Sequence, residues 1–451
     1  MTNTLYLPEI REMLAEGNEA ALAEFCTALH PARTAEFMEG LAGREAWAVL
    51  QHAEMPLRVE IFGFLDEQKQ IEIVETQDRE EIARFIGELP PDDRVDLLNQ
   101  VRPWIVDELM PLIPTEERRD IQRLSAYPEG TAGAVMTSEF ARLSEEHTVE
   151  QATNVVKHQA EELETIYYLY VVDQEDHLRG LVSWKEMVLA KPGRLIGDLM
   201  ERDLVTVHVL DDQEEVADKV ARYDLLAIPV VDDEHRLLGI ITHDDVIDVV
   251  RDEAVEDAQM MAGVTPLETG YLQTNLFRLT WNRGLWLTIL FFGALLTALA
   301  LGEYENVIEQ YAWLVLFIPL VISTGGNTGS QSATLIITAL SRGDIALGDW
   351  WRVIRRELAM ALLLAAVLGP AGYLCALPVA QSPALVTALI IPLTLLLVIL
   401  VGMMCGSLLP LLFSRLGWDP ALMSNPFVAG LIDVIGIVIY MHVAVAILAM
   451  V

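Results

Sequence analysis

The sequence predicts a multidomain membrane protein in four parts. These are an all-α N-terminal superhelical domain, an α/β unit that occurs twice, a connecting helix and a five-helix α transmembrane domain. Three observations predict it. The 451-residue chain has a net charge of −36, yet residues 272–451 hold only seven basic and eight acidic side chains, which leaves 23 basic against 58 acidic, a net of −35, in residues 1–271. The nearly neutral stretch is apolar in runs of bilayer length, since roughly 20 apolar residues cross about 30 Å of hydrocarbon. Within the acidic stretch, a segment repeats itself at a constant offset of 59 residues. With 53% hydrophobic residues and a mean hydropathy of +0.35, a chain so divided is not an ordinary soluble enzyme. Its lack of basic patches argues against a nucleic-acid partner.

Residues 1–130 read as successive short amphipathic helices, over Leu50–Leu65, Gln70–Ile86, Pro90–Val101 and Thr115–Leu124. PPDDRVDLL (Pro90–Leu98) shows the start signal, with Pro and Asp in the first turn and apolar residues at helical spacing. A series of this kind predicts a superhelical stack, although its period matches no named repeat. The N-terminus, MTNTLYLPEIREML, has neither the basic flank nor the apolar core of a signal peptide, so the acidic half is expected in the cytoplasm. Cys26, Cys375 and Cys405 lie far apart without C-x-x-C spacing, which predicts small apolar fillers rather than disulfides or zinc ligands.

The repeat lies between residues 131 and 250. LYVVDQEDHLRGLVSWKEM (Leu169–Met187) matches IPVVDDEHRLLGIITHDDV (Ile228–Val246), pairing Val171 with Val230, Asp173 with Asp232, Gly180 with Gly239 and Glu186 with Asp245. Each copy reads as a strand, an acidic turn, a second strand opened by Gly, and a helix capped by Ser183 or Thr242. AVMT (Ala134–Thr137) and DLM (Asp198–Met200) are expected to open units 131–195 and 196–250. The pattern resembles a tandem pair of CBS domains, a regulatory module that often binds nucleotides. ATP is therefore a candidate ligand, with Thr242 and Asp245 as the ribose-contacting pair. An acid-rich connecting helix, assigned to residues 251–275, leads on to the membrane domain at 276–451.

Five apolar spans fit that domain: Gly284–Leu301, Tyr311–Leu340, Leu358–Leu377, Ala384–Phe413 and Asn425–Met450. In a five-span model all seven basic residues fall on one side, which places the N-terminus in the cytoplasm and the C-terminus outside. The second span holds PLVISTGGNTGSQSATLIITAL (Pro319–Leu340), which is costly to expose to lipid. Two readings stay open: close helix packing through small residues, or the polar lining of a watery path in which Asn327 offers a carbonyl oxygen. Asp433 is the one acid inside a run read as membrane-buried, at a cost of roughly 2.5–3.5 kcal/mol at a span centre. No intramembrane Lys or Arg is available to it. A proton-relay or structural acid is one reading; a cation that neutralises it is the other, and oxygen ligands without thiols favour hard ions such as Mg²⁺ or Ca²⁺. His442, nine residues on, is a candidate for the same lumen. Runs of acids at Asp92, Asp93 and Asp96, at Asp211–Glu215 and from Asp244 to Asp257 flank the domain junctions, where self-repulsion opposes packing unless counter-ions bridge them.

Taken together, PLVISTGGNTGSQSATL, WDPALMSNPFVAGLIDVIG and THDDVIDVVRDEAVED resemble the MgtE family of magnesium channels, also described as transporters. The resemblance covers nearly the whole chain and implies a homodimer in the bacterial inner (plasma) membrane, surrounded by lipid, with a pore along the dimer axis. It implies that Asp433 binds hydrated Mg²⁺ with help from the backbone carbonyl of Ala429, and with Asn327 and Asn425 nearby. It further implies regulatory Mg²⁺ at Asp92, Asp96, Asp212, Glu214, Asp224, Asp245, Asp248, Glu253, Glu256 and Asp257, with Asp419 meeting the connector, called a plug helix in the family. Gly430 stands where the family pattern leads one to expect Thr or a similar residue, and ELAMALLLA (Glu357–Ala365) lacks the usual glycine of the third span. The expected function is a Mg²⁺-selective channel or transporter, not an enzyme, closed by cytosolic Mg²⁺. The alternatives are a broader path for Mn²⁺, Co²⁺ or Ca²⁺, a cation/proton exchanger, or a sensor that transports nothing.

Overall fold

The computed structural model describes residues 6–160, 163–267, 271 and 274–450, and it separates into two compact units, Met1–Arg251 and Asp252–Val451. The first unit begins with ten helices: α1 (Leu7–Glu16), α2 (Glu19–Ala28), α3 (Pro31–Met38), α4 (Gly43–Leu50), α5 (Met55–Gly63), α6 (Glu67–Thr76), α7 (Arg79–Gly87), α8 (Pro91–Gln100), α9 (Pro103–Leu109) and α10 (Thr115–Leu124). Two expected helices are therefore two each. Leu50–Leu65 breaks where Pro56 enters the first turn of α5. Gln70–Ile86 breaks where Asp78 accepts the Glu80 and Glu81 amides and starts α7.

A common device joins successive helices. The fourth residue of four of them reaches back to carbonyls at the end of the preceding one. Arg58 donates to Leu50, Gln51 and Ala53, and Gln70 to Phe62, Gly63 and Leu65. Arg94 donates to Ile86, Gly87 and Leu89, and Arg118 to Ile113. Gln70, Arg94 and Arg118 stand 24 residues apart, a two-helix period that the apolar pattern did not reveal.

The α/β pair follows. After α11 (Ala132–Val135), the first sheet is β1 (Phe140–Leu143), β2 (Thr165–Val172) and β3 (Leu178–Ser183), with α12 (Val149–Gln159) before β2 and α13 (Trp184–Leu189) after β3. The second sheet is β4 (Val207–His208), β5 (Ala227–Val231) and β6 (Leu237–Thr242), with α14 (Gln213–Tyr223) before β5. In both, the first pair is parallel and the second antiparallel, and the repeat's matched residues take equal register: Val171 opposes Gly180, Val230 opposes Gly239.

The segments that open the two units pair across them. Thr137 of AVMT exchanges both backbone hydrogen bonds with Ile240 of β6, at 2.9 and 3.0 Å. DLM likewise leads to Glu201, which exchanges both with Leu181 of β3. The leaders are swapped, and this accounts for the two matched glycines. A methyl at Gly239 would lie 2.7 Å from Met136 Sδ and from the Thr137 carbonyl oxygen, and one at Gly180 would lie 2.6 Å from the Glu201 carbonyl oxygen. An edge segment that crosses over each strand so closely leaves no room for a Cβ.

The connecting helix, α15 (His243–Met261), starts directly after β6 and stops well short of 275. Gly263 at φ +73° closes it, and Pro266 follows. Residues 268–270 and 272–273 of the expected connector lie outside the described residues.

The second unit holds five helices long and apolar enough to cross a membrane: α16 (Leu276–Gly302), then, after α17 (Glu305–Gln310), α18 (Ile318–Ser341), α19 (Trp350–Ala376), and, after α20 (Ala384–Thr387), α21 (Ile390–Arg415) and α22 (Asn425–Leu448). α16 and α19 begin earlier than expected, because their basic first turns are helical too. Helix α18 lies against α21 and α22 at glycine depth. Methyls at Gly325 and Gly329 would meet Val398 and Val428, one at Gly402 would lie 2.8 Å from the Gly325 carbonyl oxygen, and one at Gly406 would run into that of Gly329. The third span packs without the expected glycine at its middle, because Ala361 and Ala365 supply the small surface ahead of Gly369, Gly372 and Ala376.

Candidate cation path and acidic junction

Both readings of the polar second span find their residues on α18. Its buried face carries Gly325, Gly326, Gly329 and Ala333 and serves close packing. Its other face leaves Ser323, Asn327 and Gln331 exposed at i, i+4, i+8 spacing, a polar stripe on a bilayer-length helix. Asn327 Nδ2 donates to Ser323 Oγ at 3.2 Å, which orients the amide oxygen away from that hydroxyl.

Asp433 is the ninth of the 24 residues of α22 and is half-buried, one turn after Ala429. A methyl on Gly326 would lie 3.5 Å from Asp433 Oδ1 and 3.3 Å from Ala429 Cβ, so the bare glycine allows α18 and α22 to meet at the carboxylate. No ion pair involves Asp433 among the described residues. Below it, Asn425 begins α22 and is tied to α18 twice: Ser330 Oγ donates to its backbone oxygen at 3.0 Å and Thr334 Oγ1 to its Oδ1 at 3.1 Å. Asp433, Ala429 and Asn425 thus share an α18–α22 seam with the glycine face, and Asn327 stands on the adjacent stripe. Two expectations are displaced. Gly430 faces Leu290 of α16 rather than this seam, a methyl there falling 3.8 Å from Leu290 Cδ2. His442 Nδ1 contacts Tyr304 Oη at 3.1 Å and the Val438 carbonyl at 2.8 Å, so that nitrogen belongs to a contact between α22 and the residue that caps the start of α17.

In the first unit, the fold gathers acids that the sequence scatters. The helical register of α8 sets Asp92 and Asp96 on one face with Asp93 beside them, and they face Asp244, Asp245 and Asp248 at the start of α15. Glu164, just ahead of β2, joins them. Burial, then Asp245, Asp93 and Glu164, hold the Asp92 carboxyl well above the usual carboxylate range. Its Oδ1 is buried without a hydrogen-bond partner. Burial and the neighbouring carboxylates push Asp96 and Glu164 up to about 7, although both keep an exposed edge. Burial likewise raises Asp245 to about 6, while Thr242 opposes the shift: its amide and hydroxyl both donate to Asp245 Oδ2. Asp248 also pairs with Arg251 at 3.1 Å. Glu164 was absent from the sequence reading. Only its proximity in the fold marks it, since it belongs to no acidic run near these residues.

The other expected acids stand apart from this group. Asp212 caps α14 by accepting the Glu214 amide, and Asp224 closes that helix at φ +51°. Glu253, Glu256 and Asp257 lie on the second half of α15. Asp257 accepts a hydrogen bond from Ser341 Oγ at the end of α18 at 3.4 Å, and burial followed by the charge of Asp419 raises its carboxyl. Asp419 itself accepts the Ala421 amide at 2.7 Å. Among the described residues no three His, Cys, Asp or Glu side chains approach closely enough to hold a bare metal ion. The donor set of paired carboxylates and neutral oxygens suits a cation that keeps its water.

Five apolar helices with a polar seam and a large acidic domain define the class: the chain matches, over residues 318–443, the family model described as a divalent cation transporter. Models of the MgtE intracellular N domain and of the CBS domain match residues 29–130, and 132–193 with 196–252. A magnesium transporter MgtE from Thermus thermophilus is 36% identical over 438 residues, 96% of this chain and 97% of the relative. One from Bacillus subtilis is 30% identical, covering 86% and 85%. The chain belongs to the MgtE family. Among solved structures, the soluble part of a magnesium transporter is similar at 34% identity and TM-score 0.52, covering 55% of this chain and 97% of that one. The cytosolic domain of the Mg²⁺ channel MgtE in complex with ATP is similar at 34% and 0.51, covering 53% and 98%.

Proposed function

We propose that this chain conducts hydrated Mg²⁺ into the cell, as a homodimer in the inner membrane with its N-terminus in the cytoplasm and its C-terminus outside. The observation that carries the reading is Asp433: a half-buried carboxylate within a bilayer-length helix, without a basic partner among the described residues, on a seam of neutral oxygens. Its charge attracts the cation, and the hydrated ion's outer waters meet the Ala429 carbonyl and the Asn327 and Asn425 amides. Asp433→Ala removes that charge and should lower Mg²⁺ uptake into proteoliposomes at least tenfold while the purified protein keeps its elution profile. Uptake equal to that of the parent chain would sink the reading.

Regulation is assigned to the acids. At low Mg²⁺ the carboxylates at Asp92, Asp96, Asp245, Asp248 and Glu164 repel, and the N domain and CBS pair loosen. At high Mg²⁺, bridging ions draw them together, with Asp212, Glu214, Asp224, Glu253, Glu256, Asp257 and Asp419 as further ligands. The shift is limited to the ion's differential affinity for the two states, so several weak sites are needed for a steep response. ATP is assigned to the CBS pair near Thr242 and Asp245, in keeping with the ATP-bound relative; equilibrium dialysis with and without Mg²⁺ checks it. A broader divalent-cation path is the second reading, favoured by the wording of the family model, and competition of Mg²⁺ uptake by Mn²⁺, Co²⁺ and Ca²⁺ separates the two.

A further inference from the structure

The membrane unit contains a second buried acid, one residue ahead of the third apolar run, Leu358–Leu377. Glu357 lies within α19, seven residues after Trp350, and is 4% exposed. The carboxylate forms no ion pair among the described residues. Its hydrogen-bond partner is Ser332 Oγ of α18, which donates to Glu357 Oε2 at 2.6 Å, and Ser332 is itself 2% exposed.

What the bond joins decides its use. Helix α19 packs chiefly on α21, with its small-residue face of Ala361, Ala365 and Gly369. Helix α18 packs on α21 and α22. The backbones of α18 and α19 do not run in close contact, so the long Glu357 side chain spans the gap to the rear of α18. On α18, Ser332 stands about 140° around the helix from Asn327, at 100° per residue. The acid thus holds the side opposite the stripe of Ser323, Asn327 and Gln331. Stability alone is a poor account of it: a buried acid next to a hydroxyl contributes less than an apolar side chain of like volume, whereas a buried polar contact fixes one register among several.

We propose that Glu357 is a positioning residue for the cation path, its carboxylate holding Ser332 so that the Ser323–Asn327–Gln331 face of α18 keeps its orientation toward the ion at Asp433. The proposal rests on the reading of that face as lining the path. Loss of the strut lets α18 turn or slide, which misplaces neutral oxygens against the hydrated ion while Asp433 still attracts it. The effect then falls on apparent affinity and on discrimination between cations. A merely structural loss reduces the amount of active protein and leaves both unchanged.

The experiment is Mg²⁺ uptake by the full chain in proteoliposomes, with the apparent KM for Mg²⁺ and inhibition by Co²⁺ measured together. Glu357→Ala should raise KM by roughly two- to thirty-fold, the range of coupling through a packed network, and should let Co²⁺ compete better. Ser332→Ala should shift both in the same direction, and the double variant should be no worse than Glu357→Ala. Glu357→Gln keeps an oxygen to accept the Ser332 hydroxyl and should restore values near the parent. If Glu357→Ala fails to fold, Ser332→Ala and Glu357→Gln carry the test. The proposal is overturned if the variants lower only the maximal rate, if they change nothing, or if Gln fails as Ala does. A parent chain without Mg²⁺ uptake overturns the transport reading itself, and the proposal with it.

Discussion

Arg94 shows how much one side chain can hold in the N domain. It is 3% exposed and donates to three carbonyls at the end of α7, and burial lowers its basicity while Glu139, Asp120 and Glu117 oppose that. Replacing it with Ala strands three acceptors, each charged hydrogen bond being worth about 1.5–3 kcal/mol. Arg94→Ala should therefore destabilise the cytosolic half by about 3 kcal/mol or more in urea unfolding, while Arg84→Ala, on the exposed side of α7, should cost little. The sequence showed Arg94 only as one charge in an acidic helix. Its 24-residue spacing from Gln70 and Arg118 was legible, but charged residues are seldom weighed as periodic core positions, so the period went unread.

At the scale of elements, glycines decide how closely helices and strands approach. Gly239→Ala would press a methyl on Met136 and Thr137 of the swapped leader, at 2.7 Å from each. Overpacking of this kind costs about 1–3 kcal/mol, so thermal unfolding of the cytosolic half should move down by several degrees. Gly193→Ala, where a methyl meets nothing within 4 Å, is the control. The repeat itself was legible because both copies keep the strand–turn–strand pattern. The exchange of leaders was not, since AVMT and DLM carry the same apolar signal whichever sheet they join. In the membrane unit the spans could be read from hydropathy alone, whereas the division of the second span into a buried small-residue face and an exposed polar stripe appears only in the fold.

For the cytosolic half as a whole, the junction acids predict a dependence on pH as well as on Mg²⁺. Asp96 and Glu164, near 7, and Asp245, near 6, bind protons more tightly folded than unfolded. Their ionisation therefore opposes folding, and stability rises as pH falls from about 7.5 through 6. It flattens only below the unfolded carboxylate range near 4. In EDTA, the thermal midpoint should be higher at pH 5.5 than at 7.5. Excess Mg²⁺ should raise it at pH 7.5 and much less at pH 5.5, because protons have already relieved the repulsion that the ion would bridge. Limited proteolysis should show the same pattern: protection by Mg²⁺ at pH 7.5, and cleavage unaffected by Mg²⁺ would remove the sensor from the account.

The sequence by itself determined the division of charge, the five spans, the doubled α/β unit and the isolation of Asp433, because composition and hydropathy are properties of a run of residues and survive without neighbours. Only the tertiary structure decided which acids meet. Asp92 and Asp245 lie far apart in the chain, and Glu164 belongs to no run near them, so their mutual repulsion exists only once α8, β2 and α15 are packed. The same holds for Glu357: its reach to Ser332 depends on α18 and α19 standing a side chain's length apart, a distance set by the glycine and alanine faces that each helix turns toward α21.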